Sequence, residues 1–484
     1  MSHRKSEDPK YGRRFALARV AQEVHSPLAM RTFALSVVLV AGCMAGPSGH
    51  DEAFDLSNED PSPILTVRFT RPVCAPIVFN RMPCPEGAVC REVADETPPD
   101  VPAGVHCYGG SEERRLSRER AGIVQHQLGW LEQARQSAAD GRRVRITMAY
   151  LSWSHDGIYD ALCAATAAGA RFEGFFDAGN QGSLPPRFAA DPACNPQNIE
   201  MHELGGLTSH PQWRLMHIKL MMVEVDGEPM TRLAFGSANI SSAATSIHFE
   251  NWMFAEFPSA SHFVESHRCA MAALRSAEPF EYPDDAPEFT RAYDACVMAI
   301  TAVPDPRYQV FFTPDPNMRA MRAIIDEMTN ASSRVDMAIQ HFTAYPLIDA
   351  LVAAGAREAL ETRLVMDDDA YYGDGESAGD DHATYEYSLR DSQIDLRFMQ
   401  TNARLGVGAQ YQHNKFVIVD DDVVFMGAGN FTMEAFSTNY EQFYLFRAPE
   451  MATAYRAQFD GENEFPGLWN LAQSVDKLPR SWRY

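Results

Sequence analysis

The pattern of apolar and polar positions divides most of the chain into alternating strands and helices. Short runs of β-branched and aromatic residues predict buried strands, and apolar residues spaced three and four positions apart predict helices. The predicted helices cover residues 114–139, 157–168, 262–275, 318–332, 347–354 and 451–459, and the predicted strands cover 143–151, 171–176, 251–257, 334–342, 363–367 and 442–447. This alternation indicates an α/β layered fold.

The same order of elements occurs twice. Met148-Ala149 matches Met337-Ala338 at an offset of 189 residues, and Asp160-Ala161-Leu162 matches Asp349-Ala350-Leu351 at the same offset. A segment that contains prolines, residues 302–307, separates the two copies. We therefore predict two related halves, residues 113–303 and 304–484.

The first 112 residues lack this pattern. An apolar run at residues 32–40 is too short to span a bilayer but fits the core of a secretory signal. It leads into Val40-Ala41-Gly42-Cys43, which resembles a bacterial lipobox. We predict a lipoprotein-type signal with its N-terminal extension in residues 1–42 and a Cys-rich lead-in in residues 43–112. A plain signal peptide is the alternative, and either way the protein is expected to be exported.

Cysteine usage agrees with export. Besides Cys43 the chain has eight cysteines, and an even count in an exported protein suggests disulfides. Cys163 with Cys194 and Cys269 with Cys296 are plausible pairs, with buried free thiols as the alternative. The other four cluster at residues 74–107, where a zinc site is the alternative to disulfides.

The charge balance limits the expected partners. The formal net charge is −23, so the protein has no general electrostatic attraction for nucleic acid. An acidic, Gly-rich stretch at residues 367–382 contains carboxylates that suit calcium, but their spacing does not match an EF-hand loop. We interpret this stretch as a solvated loop that would repel long polyanions.

The candidate chemistry lies in two short motifs. His413-Asn414-Lys415 opens an apolar run that ends at Asp420, and alternate residues of a strand share one face, so His413 and Lys415 point the same way. Asp420 would lie about 23 Å away at ~3.3 Å per residue and is expected to be structural. His217-Ile218-Lys219 repeats the motif, with Glu224 at the position of Asp420.

A second signature follows each motif. Gly236-Ser237-Ala238-Asn239 precedes Glu250, and Gly427-Ala428-Gly429-Asn430 precedes Glu441, with 11 residues from the asparagine to the glutamate in both copies. One His-x-Lys triplet would be a weak signal. Two copies with matching Asn and Glu residues are a strong one.

These paired motifs resemble those of the phospholipase D superfamily, and the resemblance covers roughly residues 113–484. It implies an α/β fold of two repeated mixed-sheet halves flanked by helices. The motif strands of the two halves would face each other, with the active site between them.

The residues suit attack on a phosphodiester. Lys219, Lys415, Asn239 and Asn430 would supply charge and hydrogen-bond donors around the phosphate oxygens. One histidine would attack phosphorus while the other protonates the leaving oxygen, and Glu250 and Glu441 would orient the imidazoles. The resemblance favours His217 as the nucleophile and His413 as the acid. This scheme uses no metal and no cofactor.

The expected function is that of an exported phospholipase D, which hydrolyses the head-group phosphodiester of a phospholipid through a phosphohistidine. A lipid anchor would hold the protein at a membrane facing the periplasm or cell surface. The alternatives are a nuclease, a phosphatidyltransferase similar to cardiolipin synthase, and a catalytically inactive binding protein. Trp153, His155, His341 and Phe342 are expected either to line the site or to belong to the core.

Overall fold

The structure is a computed structural model of the chain. It describes residues 62–70, 122–177, 179, 184–205, 215–241, 244–245, 248–277, 288–372, 378–399, 411–462 and 467–477, and the backbone of residues 89–93 and 104–108. The predicted signal, Cys43, Cys74 and Cys84 lie outside the described residues.

Most strands belong to two mixed sheets. The strands are β1 Ile64–Thr70, β2 Val89–Val93, β3 Gly104–Tyr108, β4 Val144–Tyr150, β5 Arg171–Asp177, β6 Ile199–Leu204, β7 Lys219–Val225, β8 Met230–Gly236, β9 Glu250–Pro258, β10 Tyr308–Thr313, β11 Arg334–Ile339, β12 Glu361–Asp367, β13 Asp395–Met399, β14 Lys415–Val419, β15 Val423–Gly427, β16 Glu441–Arg447 and β17 Gln473–Ser474. The first sheet has the order β1-β9-β8-β7-β4-β5-β6, the second has the order β10-β16-β15-β14-β11-β12-β13-β17, and β2 pairs with β3.

Helices connect and flank the strands. They are α1 Gly122–Ala139, α2 Asp156–Ala167, α3 Leu184–Ala190, α4 His262–Ser276, α5 Glu288–Met298, α6 Arg319–Asn330, α7 Tyr345–Gly355, α8 Asp369–Tyr372, α9 Ala378–Thr384, α10 Met433–Ser437, α11 Pro449–Asp460 and α12 Gly467–Leu471, together with the 3-10 turns Pro196–Asn198 and Val475–Lys477 and the π-helical turn Tyr385–Leu389. Within the described part of the chain, no helix combines the length and apolar character needed to cross a membrane.

The two sheets have the same plan. At the centre of each, a first strand (β4 or β11) runs parallel to the strand that follows its helix and antiparallel to the motif strand (β7 or β14). The predicted α/β fold with two repeated mixed-sheet halves is therefore confirmed. Five strands of these sheets, β1, β6, β10, β13 and β17, were missing from the sequence analysis. β6 shows why: half of its sequence IEMHEL is polar and five of its six residues are exposed or half-exposed, so it lacks the signal of a buried strand.

A large part of the apolar core is shared by the two halves. One cluster of buried side chains includes Phe235 and Met253 from the first half and Phe416 and Tyr444 from the second. The rings of Phe235 and Tyr444 stack with their centroids 3.9 Å apart. The halves are thus joined by apolar packing as well as by the chain, and this packing fixes the position of the motif strands.

Both disulfides predicted between described cysteines are present. Cys163 of α2 bonds to Cys194, which lies shortly before β6. Cys269 of α4 bonds to Cys296 of α5. Each bond fastens a helix to a nearby segment of the first half, so the cross-links stabilise the outside of the fold.

Candidate active site

The motif histidines lie just before the strands that carry the lysines. β7 begins at Lys219 and β14 begins at Lys415, two residues later than the sequence pattern predicted. His217 and His413 therefore belong to extended segments that approach the centre of each sheet from outside.

These extended segments pair with the opposite half. His217 donates its backbone N–H to the carbonyl of Tyr440 at 2.8 Å, and His413 donates its own to the carbonyl of Phe249 at 2.9 Å. The return bonds run from Tyr440 N to Leu215 O and from Phe249 N to Tyr411 O, both at 2.9 Å. Two short parallel bridges thus place each histidine beside the glutamate segment of the other half.

A buried aspartate supports each approach. The carboxylate of Asp177, at the end of β5, accepts the N–H of Met216 at 3.0 Å. Asp367, at the end of β12, accepts the N–H of Gln412 at 2.7 Å. These two residues occupy matching positions, and neither was singled out as part of the site from the sequence.

Each candidate glutamate contacts the motif histidine of the other half. His217 Nδ1 lies 2.8 Å from Oε2 of Glu441, and His413 Nδ1 lies 2.7 Å and 2.8 Å from the two carboxylate oxygens of Glu250. Each imidazole is therefore oriented by a carboxylate from the other half, and its Nε2 is the nitrogen left for chemistry. The candidate histidines and glutamates of the two halves therefore meet between the halves.

Both lysines are completely buried beside the histidines. Lys219 Nζ donates to the carbonyl of His217 at 2.7 Å, and Lys415 Nζ donates to the carbonyl of His413 at 2.8 Å. Lys415 has an additional contact with Oε1 of Gln340 at 3.3 Å. Burial lowers the pKa of Lys219 to about 8 and that of Lys415 to about 7.

Asn239 and Asn430 follow the hairpin strands β8 and β15. The Oδ1 atom of each is buried without a hydrogen-bond partner among the described residues. The glycines that open the two signatures, Gly236 and Gly427, are required by packing, because a Cβ there would overlap a carbonyl oxygen of the adjacent strand. The Gly-x-x-Asn signature thus combines a close strand approach with an amide at the strand end.

The charges affect the two histidines differently. Burial lowers the pKa of His217, the carboxylate of Glu441 opposes this effect, and the charges of Lys219 and Lys415 add to it. Burial lowers the pKa of His413 well below 6.5, and the charges of Lys415 and Lys219 lower it further. Of the two imidazoles, that of His413 is therefore held more firmly in the unprotonated form.

Several polar neighbours of His413 escaped the sequence analysis. Ser237 Oγ donates to Glu250 at 2.6 Å, and the ring of His248 meets that of His413 edge-on with centroids 5.7 Å apart. Burial lowers the pKa of His248 to about 3, so this ring is neutral. His248 precedes Glu250 by two residues, and this spacing on an extended segment was the available signal.

Burial also shifts the pKa of Glu250, the carboxylate partner of His413. It raises the pKa of Glu250 to about 7, although Lys415 and the Ser237 hydroxyl oppose the shift. Near neutral pH, Glu250 is therefore divided between a neutral and a charged form. Its proton state adds a pH-dependent element to the environment of His413.

Asp420 and Glu224, which end the two motifs, lie outside this group of site residues, as predicted. Asp420 accepts the backbone N–H groups of Ser332, Ser333 and Arg334 at 2.8–3.1 Å, at the far end of β14 from Lys415. Glu224 bonds to Arg268 at 2.8 Å. Both carboxylates fasten the motif strand to its surroundings.

The four aromatic or histidine candidates divide between core and site. Trp153 and Phe342 are buried core residues, and the side chain of His155 caps the N-terminus of α2. His341 belongs to the site: it follows Gln340, which contacts Lys415 Nζ, and its Nδ1 bonds to Asp381.

The acidic stretch is not a fully solvated loop. Asp367, Asp368 and Asp381 are each less than 5% exposed, and α8 and α9 form within the stretch. The expectation of a solvated loop is therefore wrong for these residues. Their carboxylates serve local structure, as the bond from Gln412 to Asp367 shows.

Sequence comparison identifies related proteins. The family described as "Cardiolipin synthase, PLD-like domain" matches residues 131–268 and 324–462, which is more than half of the chain. Mitochondrial cardiolipin hydrolase of Xenopus laevis is 24% identical over 154 residues. This match includes 31% of the chain and 66% of the relative's length.

Solved structures with similarity include two bacterial proteins. Nuc of Salmonella typhimurium, a phospholipase D family member, is 24% identical, with a TM-score of 0.29 over 35% of this chain and 99% of that one. Phosphatidylserine synthase of Haemophilus influenzae is 12% identical, with a TM-score of 0.45 over 68% of this chain and 82% of that one.

Proposed function

Because the chain belongs to the family of phospholipase D-like domains, we propose that it is an exported phosphodiesterase that hydrolyses the head-group phosphodiester bond of phospholipids. Enzymatic action on phosphodiesters is supported by the family match. The observation that carries the proposal is the reciprocal pairing of His217 with Glu441 and His413 with Glu250, beside two buried lysines.

The first step is attack by one imidazole. Because the pKa of His413 is lowered further than that of His217, we assign His413 as the nucleophile, the reverse of the order that the sequence resemblance favoured. Its Nε2 bonds to phosphorus while the bond from phosphorus to the leaving oxygen breaks. His217 gives its Nε2 proton to that oxygen, so the alcohol leaves neutral.

The second step reverses the proton transfer. His217 takes a proton from water, the resulting hydroxide bonds to phosphorus, and the bond between phosphorus and His413 breaks. Lys219 and Lys415 stabilise the negative charge that develops on the phosphate oxygens in both steps. The glutamates hold both Nδ1–H groups, so each imidazole reacts only through Nε2.

Phospholipid is favoured as substrate by three observations. The net charge of −23 disfavours long polyanions. The segment ending at Cys43 resembles a lipobox and would place the enzyme at a membrane surface. The matched relative from Xenopus laevis is named a cardiolipin hydrolase.

The test compares substrates in one assay. Purified protein is incubated with vesicles of phosphatidylcholine, phosphatidylethanolamine, phosphatidylglycerol or cardiolipin, and with single- and double-stranded DNA. Release of head group with phosphatidic acid as co-product is expected. Faster cleavage of DNA would contradict the lipid assignment and favour a nuclease. Accumulation of a phosphatidyl alcohol when alcohol is added would favour transfer.

Export and anchoring have a separate test. Mass spectrometry of the protein isolated from its native source is expected to find a lipid-modified N-terminus at Cys43. A Cys43→Ala variant should leave the membrane fraction while its purified form keeps its activity. Retention of residues 1–29 in the mature protein would contradict the proposal.

A further inference from the structure

The two halves differ at the residue that lies two positions beyond the strand partner of each motif lysine. Lys219 faces Tyr150 across the pairing of β7 with β4, and Lys415 faces Ile339 across the pairing of β14 with β11. The residue two positions after each partner is Ser152 in the first half and His341 in the second. The second half therefore carries an additional imidazole where the first half carries a hydroxyl group.

His341 is held by a buried carboxylate. Its Nδ1 lies 2.6 Å from Oδ2 of Asp381, whose side chain is 1% exposed, while 21% of the His341 side chain remains exposed. The other oxygen of Asp381 accepts the backbone N–H of Phe342 at 2.7 Å. The carboxylate is thus fixed by the backbone and fixes the ring in turn. A carboxylate on Nδ1 is also present at both motif histidines.

The backbone places His341 within the predicted phosphate-binding groups. The preceding residue, Gln340, contacts Lys415 Nζ. The carbonyl of His341 accepts the N–H of Phe431, the neighbour of Asn430, at 3.0 Å. The charge of His341 lowers the pKa of His413, which agrees with a position close to that ring.

We propose that His341, oriented by Asp381, is a third imidazole of the cleft and donates a hydrogen bond from Nε2 to a non-bridging oxygen of the substrate phosphate. This inference rests on the proposed function for the identity of the substrate. With Nδ1 bound to a carboxylate, no described residue bonds to Nε2. A phosphate there would place an acceptor on each side of the ring, and an imidazolium ring donates from both nitrogens.

The additional imidazole makes the two sides of the nearly symmetric cleft unequal. The first half offers Ser152 at the matching place, so among the described residues the additional imidazole lies beside His413 and has no imidazole counterpart at that place beside His217. A substrate phosphate would then be held closer to the half that carries the proposed nucleophile.

Binding of inorganic phosphate tests the inference without requiring turnover. Titration calorimetry compares the wild type with His341→Ser, which copies the first half, and with His341→Gln, which keeps a donor but removes the charge. Phosphate affinity should fall about 10- to 100-fold in His341→Ser and less in His341→Gln, as expected for loss of a charged hydrogen bond. The KM for a phosphodiester should rise in the same order.

His202→Ser is the matched control. His202 also has a 21% exposed side chain and a carboxylate partner, Glu173, but it lies on β6, three strands from the motif strand. This variant should keep the phosphate affinity of the wild type. Asp381→Asn should weaken phosphate binding, and the two His341 variants decide the question if it fails to fold.

The outcomes separate the two proposals. Unchanged phosphate affinity and KM in His341→Ser, with or without a lower melting temperature, would overturn the inference and leave the proposed function standing. If the wild type turned over no phosphodiester, the proposed function would fail. Weaker phosphate binding by His341→Ser would still support the inference in that case.

Discussion

The surroundings of His217 and His413 differ although both histidines occur in the same short motif. His217 has Glu441 as its carboxylate partner, and that charge opposes the effect of burial on its pKa. His413 has Glu250 and, in addition, the rings of His248 and His341 nearby. A pair of matching motifs thus produces two imidazoles with different proton affinities, as a mechanism with one nucleophile and one acid requires.

Removing either histidine gives the largest expected effect. His217→Ala and His413→Ala should each lower kcat for lipid substrates by about 10³-fold or more, and the double variant should lose little further, because the pair acts as a unit. His202→Ala is a suitable control. Steady-state rates on phospholipid vesicles measure these losses.

A reactive leaving group distinguishes the two roles. p-Nitrophenolate leaves without protonation, so His217→Ala should still form a phosphohistidine from a p-nitrophenyl phosphodiester, whereas His413→Ala should not. Acid quenching and mass spectrometry detect the modified residue. A phosphorylated His217 in the His413→Ala variant would reverse the assignment.

Substitution of the two glutamates should lower kcat to different extents, and the difference should depend on pH. Glu441→Gln should lower kcat about 10²-fold, within the usual range for groups that support proton transfer. Glu250→Gln should cost only about tenfold at pH 6, because the carboxyl of Glu250, with a pKa of about 7, is already neutral there. The loss of kcat in Glu250→Gln should grow as the pH rises above 7 and wild-type Glu250 becomes charged. Equal losses for both variants at every pH would refute this difference.

A smaller loss of kcat is expected from substitution of Ser237. Ala428 occupies the matching place in the second half, so Ser237→Ala makes the two signatures more alike. Loss of the hydroxyl donor to Glu250 should lower kcat by about fivefold, equivalent to roughly 1 kcal/mol. It should also raise the pKa of Glu250 further, because the hydroxyl group stabilises the charged carboxylate. A melting curve separates these effects from a loss of stability.

The smallest effect is expected at the far end of the motif strands. Glu224→Asp should change kcat by less than about tenfold, or 1.4 kcal/mol in barrier, because Glu224 contacts Arg268 and not the cleft. Asp420→Ala should instead lower the free energy of unfolding by about 1–3 kcal/mol, since it leaves three backbone N–H groups without their acceptor. A larger rate effect of Glu224→Asp would show that the strand end is coupled to the cleft.

The sequence predicted the fold and the eight candidate site residues because both halves repeat them. The matched spacing from Asn239 to Glu250 and from Asn430 to Glu441 made the glutamates visible. Spacing within a half could not indicate which glutamate meets which histidine. The partner comes from the other half, and this depends on how the two halves pack.

Residues that break the repeat were harder to find. His248 and His341 have Asn439 and Ser152 at the matching positions, so comparing the halves gave no signal for them. Asp381 lies in an acidic stretch that was interpreted as solvated. Its burial depends on the contact with His341 and Phe342, which only the folded chain brings close.

The exchange of glutamates between the halves also has a consequence for the cell that makes the protein. Neither half alone contains a histidine with its own orienting carboxylate, because Glu441 serves His217 and Glu250 serves His413. An unfolded chain that has just left the ribosome therefore carries every reactive group but no working arrangement of them. Activity therefore requires that both halves have docked. For the exported phospholipase that we propose, this requirement would protect the producing cell's own lipids during synthesis.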